Sequence, residues 1–138
     1  MSNGMYILFL NSGDYLKEKS TLEQVFCRSY TEEIVAGDCS VSKNGQNIYL
    51  AIPPDVVTFR TLFTYVIPHQ STFFRSDLFK TIWLYSENYK INSDLDFFIK
   101  ALIIKNCTDI HIPLIITDYN LEGYSSMPEN KNIYENEL

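Results

Sequence analysis

Hydrophobic and polar positions change rhythm several times along this chain, and each change marks an element. Met5 to Leu10 is an unbroken apolar run that stops on Asn11-Ser12-Gly13-Asp14. A run of that length, rich in aromatic and branched side chains, predicts a strand buried on both faces. Ser20-Thr21-Leu22-Glu23 has the spacing of a capping box, and Leu22, Val25 and Phe26 extend it as a helical stripe. Ile34 to Val41 predicts a strand, Lys43-Asn44-Gly45 a hairpin turn, and Ile48 to Ile52 the return strand. After Pro53-Pro54 a short helix is expected from Thr58 to Tyr65. Gln70 to Phe74 is β-prone, and Ser76-Asp77 suits the start of a short helix through Ile82. The turn-rich stretch Ser86 to Asn92 precedes the longest predicted helix, Asp94 to about Lys105. Its residues Leu95, Phe98, Ile99, Leu102 and Ile103 form one broad apolar face. Ile110 to Asn120 reads as a strand that Pro113 should bend or place at an edge. From Glu122 onward the chain is polar and reads as loop or tail, most clearly over 127–138.

This alternation predicts a single mixed α/β domain over residues 1–138. Composition changes that picture mainly by exclusion. With 46% hydrophobic and 20% charged residues the chain is globular. A formal net charge of -6 argues against a nucleic-acid binder, which needs a basic footprint. No apolar stretch reaches the length of a membrane helix, and Met1 to Leu10 lacks the basic start and small-residue cleavage site of a signal peptide. Cys27, Cys39 and Cys107 are odd in number and far apart, so they predict reduced thiols rather than a zinc site or a disulfide framework. A cytoplasmic location is the expectation.

The candidate chemistry begins where the first apolar run ends. Ligands of open α/β sheets sit beyond the carboxyl ends of strands. Asp14 therefore stands where a metal or phosphate would bind, and Gly13 permits close backbone approach. The same four residues also suit a plain turn.

The segment Gly4-Met5-Tyr6-Ile7-Leu8-Phe9-Leu10-Asn11-Ser12-Gly13-Asp14-Tyr15-Leu16 resembles the central strand of nucleotide-sugar glycosyltransferases with the GT-A fold, in particular the large bacterial family of inverting enzymes (family-two type). Three further segments follow in the family's order. Ile67 to Arg75 resembles its acceptor-side segment, Tyr89 to Ala101 the start of its catalytic helix, and Glu122-Gly123-Tyr124-Ser125-Ser126 its closing Gly-Gly-x-Ser segment. The resemblance implies a mixed-sheet GT-A fold, here lacking its N-terminal nucleotide-binding strands. It implies transfer of a sugar, with inversion, from a nucleotide-diphospho-sugar donor to a saccharide or lipid-linked acceptor. Asp14 becomes the expected ligand of a divalent Mg²⁺ or Mn²⁺, and Asp94 the expected catalytic base. Asn11, Gly13, His69, Gln70 and Asp96 become expected donor or acceptor contacts. The pattern departs from many relatives at Asn11 and Gly13, where they carry Asp.

Other readings stay open beside these. Ser93, Asp94 and Asp96 are also good helix-start residues, and His69 suits either a substrate contact or a structural role. Asp38 is read as a turn residue or a group reaching the site. His111 is read as an outward-facing strand residue, and Arg75 as a surface ion-pair or phosphate partner. Trp83, Tyr85 and Tyr89 suit sugar stacking or core packing. A chain without its first strands would leave Met5 to Leu10 at an open edge, which predicts self-association to cover the sheet. Peripheral membrane association is compatible with a lipid-linked acceptor. The alternative function is a non-catalytic fragment or interaction module without donor binding. A small phosphate-binding α/β protein is a third.

Overall fold

The computed structural model describes residues 4–65, 67–82 and 92–122. In chain order these form β1 (Tyr6–Ile7), β2 (Tyr15–Leu16), α1 (Thr21–Val25), β3 (Ile34–Lys43), β4 (Gln46–Ala51), α2 (Phe59–Thr64), a 3-10 turn at His69–Ser71, β5 (Thr72–Arg75), α3 (Leu78–Thr81), α4 (Ser93–Phe98) running into a π turn at Ile99–Ile104, and β6 (Asp109–Asn120). The expected contributions of Trp83, Tyr85 and Tyr89, the stretch from Ser86 to Ile91, and everything after Glu122 lie outside the described residues.

β3 organises the sheet. Its first residues pair antiparallel with β5, its last with β4, and β6 runs parallel alongside it. The strand order is β1-β5-β3-β6-β2, with β4 joined to β3. Ile34 to Val41 is buried at every position, as a strand covered on both faces requires. The hairpin turn falls on Asn44 and Gly45, both at positive φ (53° and 72°). That conformation matches the right-handed twist of the flanking strands.

Two strand expectations need correction. Of the two alternatives for β6, the edge position fails, because it lies between β3 and β2, and an irregularity at Pro113 is what forms. Pro113 is tolerated because Ile112 faces Gly37 while Ile115 already faces Asp38, so the pairing skips Pro113 and Leu114. A bulge of this kind asks no ladder hydrogen bond of the proline. The chain crowds here: a Cβ added to Gly37 would overlap the Ile116 side chain and lie 2.8 Å from the Leu114 carbonyl oxygen. Gly37→Ala is therefore expected to destabilise the domain by about 1–3 kcal/mol, read as a lower urea midpoint at unchanged slope. An unchanged midpoint would show that Ile116 can move aside.

The second correction concerns the first apolar run. Only Tyr6–Ile7 is strand, it sits at the end of the sheet, and its side chains are half-buried. Met5 is 71% exposed and Leu10 42%. The run is apolar enough for a central strand, but among the described residues β1 has a partner on one side only, β5.

The helical elements split the core in two. Ile34, Ala36 and Phe74 pack with Leu62, Leu78, Leu95, Phe97, Phe98, Ala101 and Leu102, joining β3 and β5 to α2, α3 and α4. Phe74 meets Phe97 edge to face, ring centres 5.3 Å apart. A smaller cluster of Val25, Val35, Phe73, Ile112 and Ile116 packs under α1. The capping box expected at Ser20 and Glu23 does not form. The Ser20 hydroxyl meets Glu18 and Gln24 instead, while Thr21 accepts the Glu18 amide. The box is found at α2, where Thr58 and Thr61 satisfy each other's backbone amides.

Candidate functional site

Asn11 to Asp14 is a tight turn closed by the Asp14 amide donating to the Asn11 carbonyl at 3.1 Å. Gly13 holds φ 97°, and nothing lies within 4 Å of where a Cβ would stand. Glycine is thus required by backbone conformation rather than by crowding. Asp14 follows at the entry to β2, which pairs with the end of β6. Its Oδ1 accepts the Asn120 amide at 3.2 Å. Its Oδ2 is buried and has no hydrogen-bond partner among the described residues. Burial pushes the Asp14 carboxyl up from its ordinary value. The Asn120 amide, the nearby His69 ring and the Asn11 backbone pull in the opposite direction.

The same turn reaches the other candidate residues through Asn11. Its side-chain Nδ2 lies 3.2 Å from His69 Nε2, across 58 positions of sequence. The 3-10 turn before β5 holds His69 there, with the Ser71 amide donating back to Pro68. On its other side His69 Nδ1 lies 3.1 Å from Asp94 Oδ2. Asp94 opens α4, and its Oδ1 accepts the Leu95 amide at 2.8 Å. Three separate segments therefore converge on a line of contacts from Asn11 through His69 to Asp94. Both open readings of Asp94 meet in one residue, since it engages a first-turn amide while facing the histidine.

The remaining expected contacts are placed differently. Gln70 is buried next to Ser71, whose hydroxyl bonds Thr117, which in turn donates to the Cys39 sulfur at 3.5 Å. Asp96 forms an ion pair with Lys100 one helical turn on, and no described contact joins it to Asp94 or His69.

Three sequence readings of charged residues are revised or narrowed. His111 is not an outward-facing strand residue. Its Nε2 lies 2.8 Å from Asp38 Oδ1 and its Nδ1 3.3 Å from Asp55 Oδ1. Asp38 is correspondingly a buried mid-strand residue, not a turn residue. Arg75 pairs with Glu33 and Asp77, the surface ion-pair role. The cysteines are free, with Cys39 buried and its thiol pushed up by that burial.

Sequence reasoning missed Asn120, whose contribution is a backbone amide and so carries no residue signal. It also missed the Lys17–Asp118 ion pair beside it (3.0 Å) and Tyr65. The Tyr65 hydroxyl is buried with no partner among the described residues, and burial pushes it up to about 12.

No group of three or more His, Cys, Asp or Glu side chains among the described residues is arranged to hold a metal. No helix among them is long and apolar enough to cross a membrane.

No family model matches this chain. Over 126 residues it is 29% identical to PGL/p-HBAD biosynthesis glycosyltransferases of Mycobacterium bovis and Mycobacterium tuberculosis. The match takes in 89% of this chain and 48% of theirs, so the chain spans about half the length of the curated relatives it matches. Residues 1–349 of S. aureus TarS share its fold with a TM-score of 0.61 at 20% identity, over 86% of this chain and 36% of that one. The same protein in complex with UDP gives 0.59 at 19%, and in complex with UDP-GlcNAc 0.61 at 20%. At such identity the likeness is one of fold, and it agrees with the mixed α/β architecture described above. In sequence and in fold this chain is thus similar to part of a glycosyltransferase.

Proposed function

We propose that this chain carries the diphosphate-facing turn and the catalytic base of a sugar transferase. In this reading a nucleotide-diphospho-sugar gives its sugar to a saccharide or lipid-linked hydroxyl, with inversion at the anomeric carbon. The observation that carries it is the joining of Asp14 and Asp94, through Asn11 and His69, into one connected site. The likeness to glycosyltransferases and the UDP and UDP-GlcNAc complexes of TarS support a nucleotide-sugar donor.

Asp14 fits a cation. A buried carboxylate oxygen without a partner is costly unless a ligand meets it. One carboxylate is sufficient for Mg²⁺ or Mn²⁺ when substrate phosphates and water supply the other ligands. Such an ion would offset the negative charge that grows on the leaving diphosphate. Gly13, with open space on its side-chain side, lets a ligand approach the turn.

Asp94 takes the proton of the acceptor hydroxyl as that oxygen attacks the sugar. Each of its oxygens already accepts one hydrogen bond, from Leu95 and from the His69 side, and keeps a lone pair for that proton. Inversion requires the base on the face opposite the leaving group. Gln70 and Asp96 are not assigned a step.

The test is UDP release from a panel of nucleotide sugars, UDP-GlcNAc among them, with glycan and lipid-linked acceptors and Mn²⁺. Acceptor-dependent UDP release with a new glycosidic product supports the reading. A folded sample that turns over no donor contradicts it.

A further inference from the structure

An amide nitrogen of asparagine has only hydrogens to give, so the ring nitrogen it meets must accept. Asn11 Nδ2 lies 3.2 Å from His69 Nε2, which places the lone pair of the neutral ring there. The proton then sits on Nδ1, 3.1 Å from Asp94 Oδ2, and is donated to it. We propose that His69 is the positioning residue for Asp94: Asn11 fixes its Nδ1–H tautomer, and that N–H fixes the orientation of the carboxylate. This rests on the reading of Asp94 as base.

The geometry gives a reason for each partner. Without His69, the Asp94 carboxylate would be held, among the described residues, by the Leu95 amide at Oδ1 and would swing about that contact. Two donors on two different oxygens fix its plane. Both side chains are largely but not fully enclosed, at 20% and 18% exposure, so an acceptor hydroxyl still has access. Asn11 is needed as an amide. A carboxylate at that position only accepts, so it would demand a proton on Nε2. The ring would then either carry both protons or lose the one it gives to Asp94. The Asn11 carbonyl also closes the turn that presents Asp14, so one residue shapes both halves of the site.

The tautomer is directly measurable on the full chain. Long-range ¹H–¹⁵N spectra of histidine-labelled protein at about pH 8.5, above the ordinary imidazole range, distinguish the two ring nitrogens. His111→Gln assigns the two histidines of the sequence. His69 is expected to show a protonated Nδ1 and a bare Nε2. Asn11→Asp is expected to put a proton on Nε2. A wild-type ring protonated at Nε2, or a spectrum unmoved by Asn11→Asp, would overturn the proposal.

The kinetic arm uses two replacements. His69→Asn keeps an N–H donor near the Nδ1 position, and His69→Leu keeps none. A group that orients a functional side chain by hydrogen bonding typically contributes about 10–100-fold. His69→Leu should lose that much in kcat with donor KM unchanged, and His69→Asn should recover most of it. Equal losses in the two folded variants would also overturn the proposal. If no donor is turned over by the wild type, the transferase reading fails, while the tautomer spectra still decide what His69 does.

Discussion

Asp94→Asn is expected to lower sugar transfer by about 10²–10⁴-fold, the usual contribution of a positioned general base. Donor KM and UDP affinity should stay within about twofold, because the proton is accepted only as the acceptor attacks. Asparagine keeps the size of the side chain and can still accept the Leu95 amide through its oxygen. The domain should therefore remain folded, with α4 and its buried Leu95, Phe97 and Phe98 in place. A variant that keeps wild-type kcat would remove Asp94 from the chemistry. One that loses UDP affinity instead would move it to the donor side.

Asp14→Asn should act on the opposite half of the reaction. Mn²⁺-dependent UDP binding is expected to fall by at least about 100-fold, since hard cations of this kind are held by carboxylate rather than amide oxygens alone. Stability should respond in the other direction. Burial raises the Asp14 carboxyl above its ordinary value of 3.8, so the folded state holds this proton more tightly than the unfolded chain does. Its ionised form therefore costs stability above that raised value, and the cost disappears as pH falls through it. Without metal, Asp14→Asn should raise the melting temperature at pH 7, and the gain should shrink toward pH 4. Metal-supported UDP binding to the wild type should weaken on acidification above the normal carboxylate range, because the proton competes with the cation. Retained Mn²⁺-dependent binding in Asp14→Asn would place the cation elsewhere.

The parts of this fold that were legible in sequence are those set by local chemistry. Asn44-Gly45 fixed the β3–β4 hairpin because both residues tolerate positive φ. The spacing of Leu95, Phe98 and Leu102 marked the buried face after Asp94, although a π turn replaces the α-helix from Ile99 onward. What stayed hidden depends on partners distant in the chain. A run such as Met5 to Leu10 has the same composition whether or not layers cover both of its faces, so its short strand and half-buried side chains could not be read, whereas its place at the edge of the sheet was expected. Pro113 left an edge and a bend both open because the bulge opposite Gly37 is a property of the pairing, not of β6 alone. His111 looked outward because its partners Asp38 and Asp55 lie 73 and 56 positions away. The Ser20 box failed because Glu18 and Gln24, both within reach, captured the serine hydroxyl.

The candidate site divides in the same way. Asp14, His69 and Asp94 carried a family resemblance and could be named singly. Their connection through the Asn11 amide could not, since it needs the 3-10 turn at His69 to stand over the Asn11–Asp14 turn. The Asp14 oxygen without a partner among the described residues likewise appears only once Asn120 is seen to satisfy its neighbour.

Calorimetric titration of UDP into the wild-type chain, with and without Mn²⁺, tests the central claim most directly. Saturable binding that requires Mn²⁺ is the predicted result. A folded chain that binds no UDP in the presence of Mn²⁺, or binds it equally well without the metal, would contradict the assignment of Asp14 and its turn to the diphosphate.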